Sequence, residues 1–399
     1  MHPNLVFAAP LANNLIPGAG TMPPGVCTRS TIKTTSNGGG LISAAANTPA
    51  FELIGGRNYL ALAPGMTNKC TNYNANPDAG LTNVTKSGDA AAVLSRVDDS
   101  AALAAAGLSG ICTSGYVYKL DNSAGSTDAQ ATFGGTAGNT NTHIMSVYLK
   151  GGTGRLSCNG GDRLTITASA TYRGLVSTSF AATAPAQFSI IADAGQVLYF
   201  ILNQLEESPV ATAPIVTAGA SAARSADAVT FPISSIAGGF PQTAGTAMVA
   251  WRPKFAQSNI GTAAFNIFGV NNSTGGMLCH ASGRTTTLSS SDGTNEAQTS
   301  ALAWSADTLY YLATQWNNSG VPVNSLATGK MRVGYSTDLI TWTWGTAANY
   351  DGAFTLGTAP NDKLFLGYST AYPHWIRNVR LYNAVLSTDE INREFANAA

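Results

Sequence analysis

The sequence has little charge and no excess of either sign. Charged residues make up 11% of the 399 positions, and 21 basic side chains balance 21 acidic ones. A typical soluble domain carries roughly 25% charged residues. Because nucleic-acid phosphates are attracted by a basic field, this balance argues against a nucleic-acid partner. Low charge together with 42 glycines favours short strands and many turns, and suits an extracellular or particle-borne structural protein better than a cytosolic enzyme.

Signals for secretion and for membrane insertion are also missing. The first residues, MHPNLVFAAPLANNL, lack the basic segment and the long apolar segment of a secretory signal. No stretch approaches the roughly 20 apolar residues of a membrane-spanning helix. The sequence therefore predicts a soluble chain with no membrane span.

Cysteine pairs with metal-site or dithiol spacing are absent. The five cysteines are scattered and none belongs to a C-x-x-C pair: Cys27, Cys70, Cys112, Cys158 and Cys279. Buried free thiols are the default prediction. A Cys70–Cys112 or Cys112–Cys158 disulfide is the alternative if the protein matures in an oxidising compartment.

Catalytic signatures are missing as well. The sequence contains no G-x-S-x-G, G-x-x-x-x-G-K-[ST], G-x-G-x-x-G or H-E-x-x-H. Glycoside hydrolysis needs two carboxylates facing one bond, and the conspicuous acidic pairs are Glu206-Glu207, Asp292/Glu296 and Asp389/Glu390. The first lies at a predicted domain boundary and the last in a predicted helix cap, so we predict no enzyme.

The loop containing Asp292 and Glu296 is the one candidate metal site. Its sequence, DGTNE, offers oxygen ligands of the kind that calcium prefers, although the spacing is not that of an EF-hand. We expect no cofactor, and a solvated turn is the favoured interpretation over a calcium loop.

Strand-like segments alternate with Gly, Asn, Ser and Asp clusters over most of the chain, as in GYVYKL from Gly115 and HIMSVYL from His143. The pattern predicts an all-β protein with two β-sandwich (jelly-roll) domains in tandem, residues 57–208 and 224–399. Between them the Pro- and Ala-rich residues 209–223 read as a linker. Residues 1–56, with six prolines and the Gly38-Gly39-Gly40 run, read as an extended attachment arm.

Two short helices interrupt the strands. Asp98-Asp99-Ser100 precede an alanine run, which predicts a helix near Ser100–Ala106. Near the C-terminus Ser387 and Glu390 have the spacing of a capping box, which predicts a helix from about Thr388 to Ala396.

The strand-then-helix ending, WIRNVRLYNAVLSTDEI from Trp375 to Ile391, resembles the terminal signature of laminin-G-like, concanavalin-A-like jelly rolls. In that signature an arginine-containing strand ends in a Tyr-Asn pair and is followed by a leucine and a Ser-x-x-Glu cap. The resemblance covers the last domain and implies a lectin-like fold for it.

A second resemblance covers most of the chain. The motifs LALAPGMTNKC, SVYLK, NQLE and RSAD occur in the order found in bacteriophage tail-fibre, tail-spike and head-fibre proteins, although Ala63 stands where those proteins commonly have an acidic residue. The resemblance implies a carbohydrate-binding-module-like sandwich joined to the laminin-G-like one. It also implies a virion structural protein, assembled in the host cytoplasm, that contacts other virion proteins through its arm, sister subunits as a homotrimer, and host-surface glycans.

Within this interpretation a tail or receptor-binding appendage is favoured, and a head fibre or capsid decoration protein is the alternative. A polysaccharide depolymerase and a secreted lectin-like adhesin are alternatives from other classes.

Sugar binding needs an exposed aromatic platform beside amide and carboxylate groups. We expect that platform on the last domain, at Tyr350, Tyr368, Tyr372, His374 and Trp375. The alternative is that these rings fill the core or a subunit interface.

Overall fold

A computed structural model describes residues 4–9, 26–28, 33–36, 41–45, 50–54, 57–158, 160–183, 186–236, 238–259, 264–270, 277–282, 287–354, 356, 363–367 and 372–397. Numbered along the chain, the strands of the first 225 residues are β1 (Leu5–Ala9), β2 (Val26–Thr28), β3 (Lys33–Ser36), β4 (Leu41–Ala44), β5 (Phe51–Ile54), β6 (Arg57–Leu62), β7 (Met66–Asn68), β8 (Val84–Gly88), β9 (Val93–Asp98), β10 (Tyr116–Asp121), β11 (Ala129–Phe133), β12 (Thr142–Gly151), β13 (Gly154–Cys158), β14 (Gly161–Ile166), β15 (Ser169–Val176), β16 (Phe180–Ala181), β17 (Phe188–Ala192), β18 (Val197–Glu206) and β19 (Ala222–Arg224).

The strands that follow are β20 (Ala228–Pro232), β21 (Ala244–Pro253), β22 (Ala264–Gly269), β23 (Met277–Ser282), β24 (Thr287–Ser291), β25 (Glu296–Gln298), β26 (Tyr310–Asn317), β27 (Lys330–Ser336), β28 (Thr343–Trp344), β29 (Ala348–Asn349), β30 (Lys363–Leu366) and β31 (His374–Tyr382). The α-helices are α1 (Ser100–Ala105) and α2 (Thr388–Ala396). With 47% strand and 6% helix, the structure confirms the predicted all-β fold class.

The chain divides into two compact units. The central unit comprises residues 31–45 and 65–225, and the C-terminal unit comprises residues 1–30, 46–64 and 226–399.

The central unit is a sandwich of two antiparallel sheets, with strand orders β15-β12-β18-β10-β9 and β14-β13-β17-β11-β8. Strands from both sheets contribute to one buried cluster, in which the rings of Tyr118, Phe133, Phe188 and Phe200 are fully buried. Their neighbouring ring centroids lie 5.3–6.2 Å apart. Because burying one such side chain contributes about 1.5–3 kcal/mol, this cluster is a main source of the unit's stability.

The C-terminal unit also has two main sheets, with orders β28-β27-β26-β21-β31-β6-β5 and β2-β20-β30-β22-β23-β24-β25. Trp251, Trp304 and Trp316 are at most 1% exposed, so these tryptophans pack in the core of the unit. Helix α2 begins at the predicted residue. The Ser387 hydroxyl accepts from the Glu390 backbone N–H, and the Glu390 carboxylate accepts from the Ser387 N–H at 2.7 Å.

The N-terminal segment differs from the predicted arm wherever the structure describes it. Strand β1 pairs with β31, β2 pairs with β20, β6 pairs with β31, and β5 pairs with β6. The predicted boundary at residue 57 also shifts, because β6 belongs to the C-terminal unit. The edge strand of a sheet has unpaired backbone N–H and C=O groups. Strands β1 and β2 form hydrogen bonds with such groups on β31 and β20, which lie 200 residues or more away in sequence.

The predicted linker, residues 209–223, is instead a packed part of the central unit. The Ile215 carbonyl accepts from the amides of Asn68 and Asn74, at 3.1 and 3.0 Å. Thr217 donates its backbone N–H to Asn74 Oδ1 at 2.9 Å. The segment has too little apolar bulk for a core of its own, but buried asparagines satisfy its backbone groups, which sequence composition does not reveal.

Cys70, Cys112 and Cys158 are buried free thiols, which confirms the prediction of buried free thiols for these three residues. Burial raises the pKa of Cys70 and Cys112 to about 12, so both thiols stay protonated at neutral pH. No helix in the described ranges is long and apolar enough to cross a membrane.

Candidate functional site

The residues predicted to form an aromatic platform on the last domain are buried where the structure describes them. Exposed fractions are 3% for Tyr350, 7% for Tyr372, 1% for His374 and 6% for Trp375, and Tyr368 lies outside the described residues. Tyr350 donates its hydroxyl to the Gln242 carbonyl, and Trp375 donates its indole N–H to Glu52 at 2.7 Å. A sugar cannot stack on a ring that has no free face, so the exposed platform has to be sought elsewhere. Sequence reasoning could not separate these core rings from exposed ones because strand alternation is hidden where both faces of a strand are covered.

The Asp292 carboxylate is engaged by its own turn rather than open to a cation. Its Oδ1 accepts from the backbone N–H groups of Thr294 and Asn295, at 2.8 and 2.7 Å, and its Oδ2 accepts from the Asn295 amide at 3.2 Å. These three bonds hold the Asp292 carboxylate within its own turn, and the partner predicted for it, Glu296, is exposed. Within the described residues, no three His, Cys, Asp or Glu side chains form a group able to hold a metal ion.

The acidic pairs are likewise occupied by structural contacts. Glu206 is fully buried and accepts from the backbone N–H of Thr212 at 2.9 Å and from its hydroxyl. Burial raises the pKa of Glu206. Since its neighbour Glu207 is partly exposed and Glu206 is not, the two carboxylates cannot flank one substrate bond. Glu390 belongs to the cap of α2.

A row of alternating tyrosines and lysines crosses the sheet β15-β12-β18-β10 of the central unit. Its members are Tyr172 on β15, Lys150 on β12, Tyr199 on β18 and Lys119 on β10. Lys150 lies directly opposite Tyr199, and Tyr199 lies opposite Lys119. Since successive side chains of a strand point to opposite faces, and the residues flanking Tyr199 are core residues, this row lies on the outer face. We call these four residues the tyrosine–lysine ladder.

Cation–π contacts join the ladder. The Lys150 ammonium lies 5.2 Å from the Tyr172 ring centroid and 4.9 Å from that of Tyr199. The Lys119 ammonium lies 5.8 Å from the Tyr199 centroid. An ammonium within about 6 Å of a ring is attracted by the negative face of the ring. Each tyrosine of the ladder is therefore held between or beside cations.

Two aspartates complete the electrostatics. Asp99 forms an ion pair with Lys150 at 2.7 Å and accepts the hydroxyl of Tyr172 at 2.6 Å. Asp121 pairs with Lys119 at 2.8 Å. The hydrogen bond between Lys119 and Asp121 lowers the pKa of Asp121 to about 2 and raises the pKa of Lys119. Both groups therefore stay ionised at neutral pH.

Asp99 has this role because it does not cap the helix beside it. It occupies the N-cap position of α1 but makes no capping bond from its side chain. Asp98 supplies a hydrogen bond at the start of the helix instead, because its carboxylate accepts from the Ser100 N–H at 3.0 Å. The sequence correctly predicted the helix, but both acidic residues read equally well as caps. Only the fold directs one of them towards Lys150.

Helix α1 and the loop after it cover one part of the outer face. Leu103 is fully buried there in a second apolar cluster with Ile201 and Val117 of the sheet. Tyr148 and Tyr199 pack against the edge of this cluster and are half-buried. The uncovered part of the face therefore presents partly exposed tyrosine rings beside the covered part.

Tyr148 extends the aromatic surface by one row. It lies opposite Gly174 on β15, and a Cβ at Gly174 would lie 3.6 Å from the Tyr148 ring. Gly174 itself therefore places no side chain over this ring. The motif SVYLK already indicates that Tyr148 and Lys150 lie on the same face of a strand, because they are two residues apart. The sequence does not indicate which residues of other strands lie beside them.

Chemically, the partly exposed rings of Tyr148 and Tyr199 lie beside ammonium donors and carboxylate acceptors on one sheet face, whereas Tyr172 is buried. Ring faces accept apolar C–H surfaces, and the charged groups bond to hydroxyls, carbonyls or carboxylates.

Comparison with known proteins gives little further guidance. No family model matches the sequence, and no curated protein matches it. The structures found by similarity include the binding domain of botulinum neurotoxin DC in complex with rat synaptotagmin II, at 12% identity and a TM-score of 0.29, covering 44% of this chain and 40% of that one. The receptor-binding domain of botulinum neurotoxin D matches at 9% identity and a TM-score of 0.28, covering 43% and 41%. The chain thus spans about two fifths of these structures, and similarity at this level is too low to establish a common fold.

Proposed function

We propose that this protein is a glycan-binding structural component of a bacteriophage virion, and that the tyrosine–lysine ladder is its glycan-binding surface. The observation that carries glycan binding is the pair of partly exposed rings, Tyr148 and Tyr199, beside Lys119 and Lys150 on the outer sheet face. Tyr172 is 7% exposed and serves to position Lys150 and Asp99. The virion assignment rests on the order of the motifs that resemble phage appendage proteins and on the low charge of the chain. A tail or receptor-binding position is favoured over a head position on the same resemblance.

The ladder suits an extended sugar chain better than a single ring. Neighbouring strands lie about 4.8 Å apart, so the four positions from Tyr172 to Lys119 span about 14 Å. Sugar C–H faces would stack on Tyr199 and Tyr148. Hydroxyls would donate to Asp99 and Asp121 and accept from Lys119 and Lys150, which replaces the water that these groups lose.

The test is binding of the full chain to an array of bacterial surface glycans and to polysaccharide from the host. A stacked ring contributes about 1 kcal/mol, so Tyr199→Ala should weaken binding about fivefold and the double variant Tyr148→Ala/Tyr199→Ala further. Tyr335→Ala, which removes a half-buried tyrosine of the C-terminal unit, is the matched control and should bind as the parent does. Equal affinity of parent and double variant would refute the ladder as the binding surface.

The virion assignment is tested by immunolabelling of purified particles. Label at the tail supports a receptor-binding appendage, label on the capsid moves the protein to a head fibre or decoration role, and particles without label would contradict the assignment. Release of reducing ends from host polysaccharide would instead favour a depolymerase. The predicted homotrimer is checked by mass photometry of the purified chain.

A further inference from the structure

The central unit contains a second polar site, separate from the ladder. It is a cavity of about 460 Å³ lined by Gly65, Met66, Thr67, Lys69, Glu207, Ala223 and Arg224, all of which belong to the central unit. Cavities that hold small ligands are commonly about 300–1,000 Å³. The volume is therefore large enough for a small molecule.

Lys69 and Glu207 supply the reactive polar groups of this cavity. Lys69 Nζ lies 2.9 Å from Glu207 Oε2 and also donates to the Ala137 carbonyl at 2.7 Å. Their side chains are 20% and 35% exposed, respectively. Both groups are accessible to a ligand, whereas Glu206, the residue before Glu207, is fully buried.

Two asparagine amides hold the Glu207 carboxylate in place. Asn139 donates to Oε2 at 2.9 Å and Asn141 donates to Oε1 at 2.6 Å. The bond from Asn141, with those from Lys69 and Asn139, lowers the pKa of Glu207 to about 2. The carboxylate is therefore ionised, oriented and still partly open to solvent.

The walls of the cavity are strands rather than free loops. Met66–Asn68 pairs with Ala222–Arg224, and the Lys69 backbone N–H donates to the Leu205 carbonyl at 2.9 Å. Glu207 directly follows β18. A site built on paired strands is preorganised, so little conformational entropy is lost when a ligand binds.

We propose that this cavity binds a single neutral saccharide residue, with two neighbouring hydroxyls at Glu207 and Lys69. The hydroxyls would donate to the carboxylate oxygens and accept from the ammonium and the asparagine amides. An exposed carboxylate beside an ammonium and two amides matches the alternating donor and acceptor pattern of a sugar ring. The Lys69–Glu207 pair carries no net charge and Arg224 is only 2% exposed, so the cavity presents little charge to attract an ionised sugar. This inference adds a site to the proposed glycan-binding function, but it depends on the cavity's own geometry and not on the ladder.

The experiment uses the full chain and saturation-transfer NMR with the methyl glycosides of glucose, galactose, mannose, rhamnose and N-acetylglucosamine, with glucuronic acid as the charged probe. A hydrogen bond to a charged group typically contributes enough to change affinity about tenfold or more. Glu207→Ala and Lys69→Met should therefore each weaken binding of a neutral glycoside by at least about tenfold. Asp162→Asn, on the exposed edge of the other sheet, is the matched control and should leave binding unchanged.

The outcomes separate this site from the ladder. If Glu207→Ala loses monosaccharide binding and Tyr199→Ala keeps it, the cavity is the monosaccharide site. This conclusion holds even if the glycan array shows that the ladder binds no glycan. No neutral glycoside bound, or binding unaffected by both cavity variants, overturns the proposal, as does a preference for glucuronic acid. Glu207→Gln keeps the shape of the side chain and tests folding, because its near-ultraviolet circular dichroism should match that of the parent when binding falls.

Discussion

Trp375 donates its indole N–H to the carboxylate of Glu52 at 2.7 Å, across 323 positions of sequence. Glu52 lies on β5 and Trp375 on β31, and both residues are at most 9% exposed. This bond joins the N-terminal segment to the last strand of the C-terminal unit. It shows that residues predicted as an attachment arm help to stabilise a sandwich.

We expect Glu52→Ala to destabilise the C-terminal unit by about 1–3 kcal/mol, because it leaves a buried indole N–H without its acceptor. Glu52→Gln retains an acceptor oxygen and should lose much less. Urea unfolding monitored by tryptophan fluorescence measures both variants. Equal stability of all three proteins would show that the bond contributes nothing.

Asp99 should be required for glycan binding and not for helix α1. Asp99→Ala removes the partner of Lys150 and Tyr172 and is expected to lower glycan affinity on the array, while the helical signal is kept. Its neighbour provides the control: Asp98→Ala loses the bond to the Ser100 N–H and should weaken the helix by about 0.5–1 kcal/mol with little effect on binding. The reverse pattern, measured by glycan titration and hydrogen exchange of α1, would contradict the assigned roles.

The connector of residues 209–223 should resist proteolysis. Asn74 makes bonds to Ile215 and Thr217 from a fully buried position, and Asn74→Ala removes them. Loss of these bonds, at about 1 kcal/mol each, should raise the rate of cleavage in the connector about tenfold or more by a protease of broad specificity. Asn76→Ala, whose side chain instead accepts from the Ser114 N–H, is the control. Rapid cleavage of the parent protein within residues 209–223 would contradict this prediction and indicate a free linker.

Stability should fall in acid partly because of Glu207. Its pKa is lowered from 4.5 to about 2 in the folded protein, so the ionised form is favoured by folding. The stabilisation is present above about pH 4.5 and is lost as the pH falls towards 2. Glu207→Gln lacks this contribution and should show a shallower loss of unfolding free energy over that range. Parallel pH profiles for the two proteins would rule out the contribution.

Much of the fold was predictable from local sequence. Alternation in HIMSVYL from His143 corresponds to the strand β12, and Ser387 with Glu390 predicted helix α2 because a capping box depends only on residues three positions apart. The buried thiols also followed from residue type. These features depend on interactions within a few residues or on hydrophobicity alone.

The candidate site was not predictable in the same way. Tyr148, Lys150 and Tyr199 were all in segments identified as strands, but the sequence does not contain strand order, and the ladder exists only because β12, β18 and β10 are neighbours. The predicted platform failed for a related reason: Trp375 and Tyr350 are covered by segments distant in sequence, such as the one that carries Glu52.

The sequence by itself therefore determined the all-β class, the two helices and the buried character of the thiols, since these depend on local pattern and residue type. Only the tertiary structure decided that β1, β5 and β6 complete the C-terminal unit, that residues 209–223 pack on buried asparagines, and that tyrosines and lysines form one row across the outer face of a sheet. The physical reason is that strand pairing and side-chain burial are set by long-range contacts, whose partners are not marked in the residues that make them.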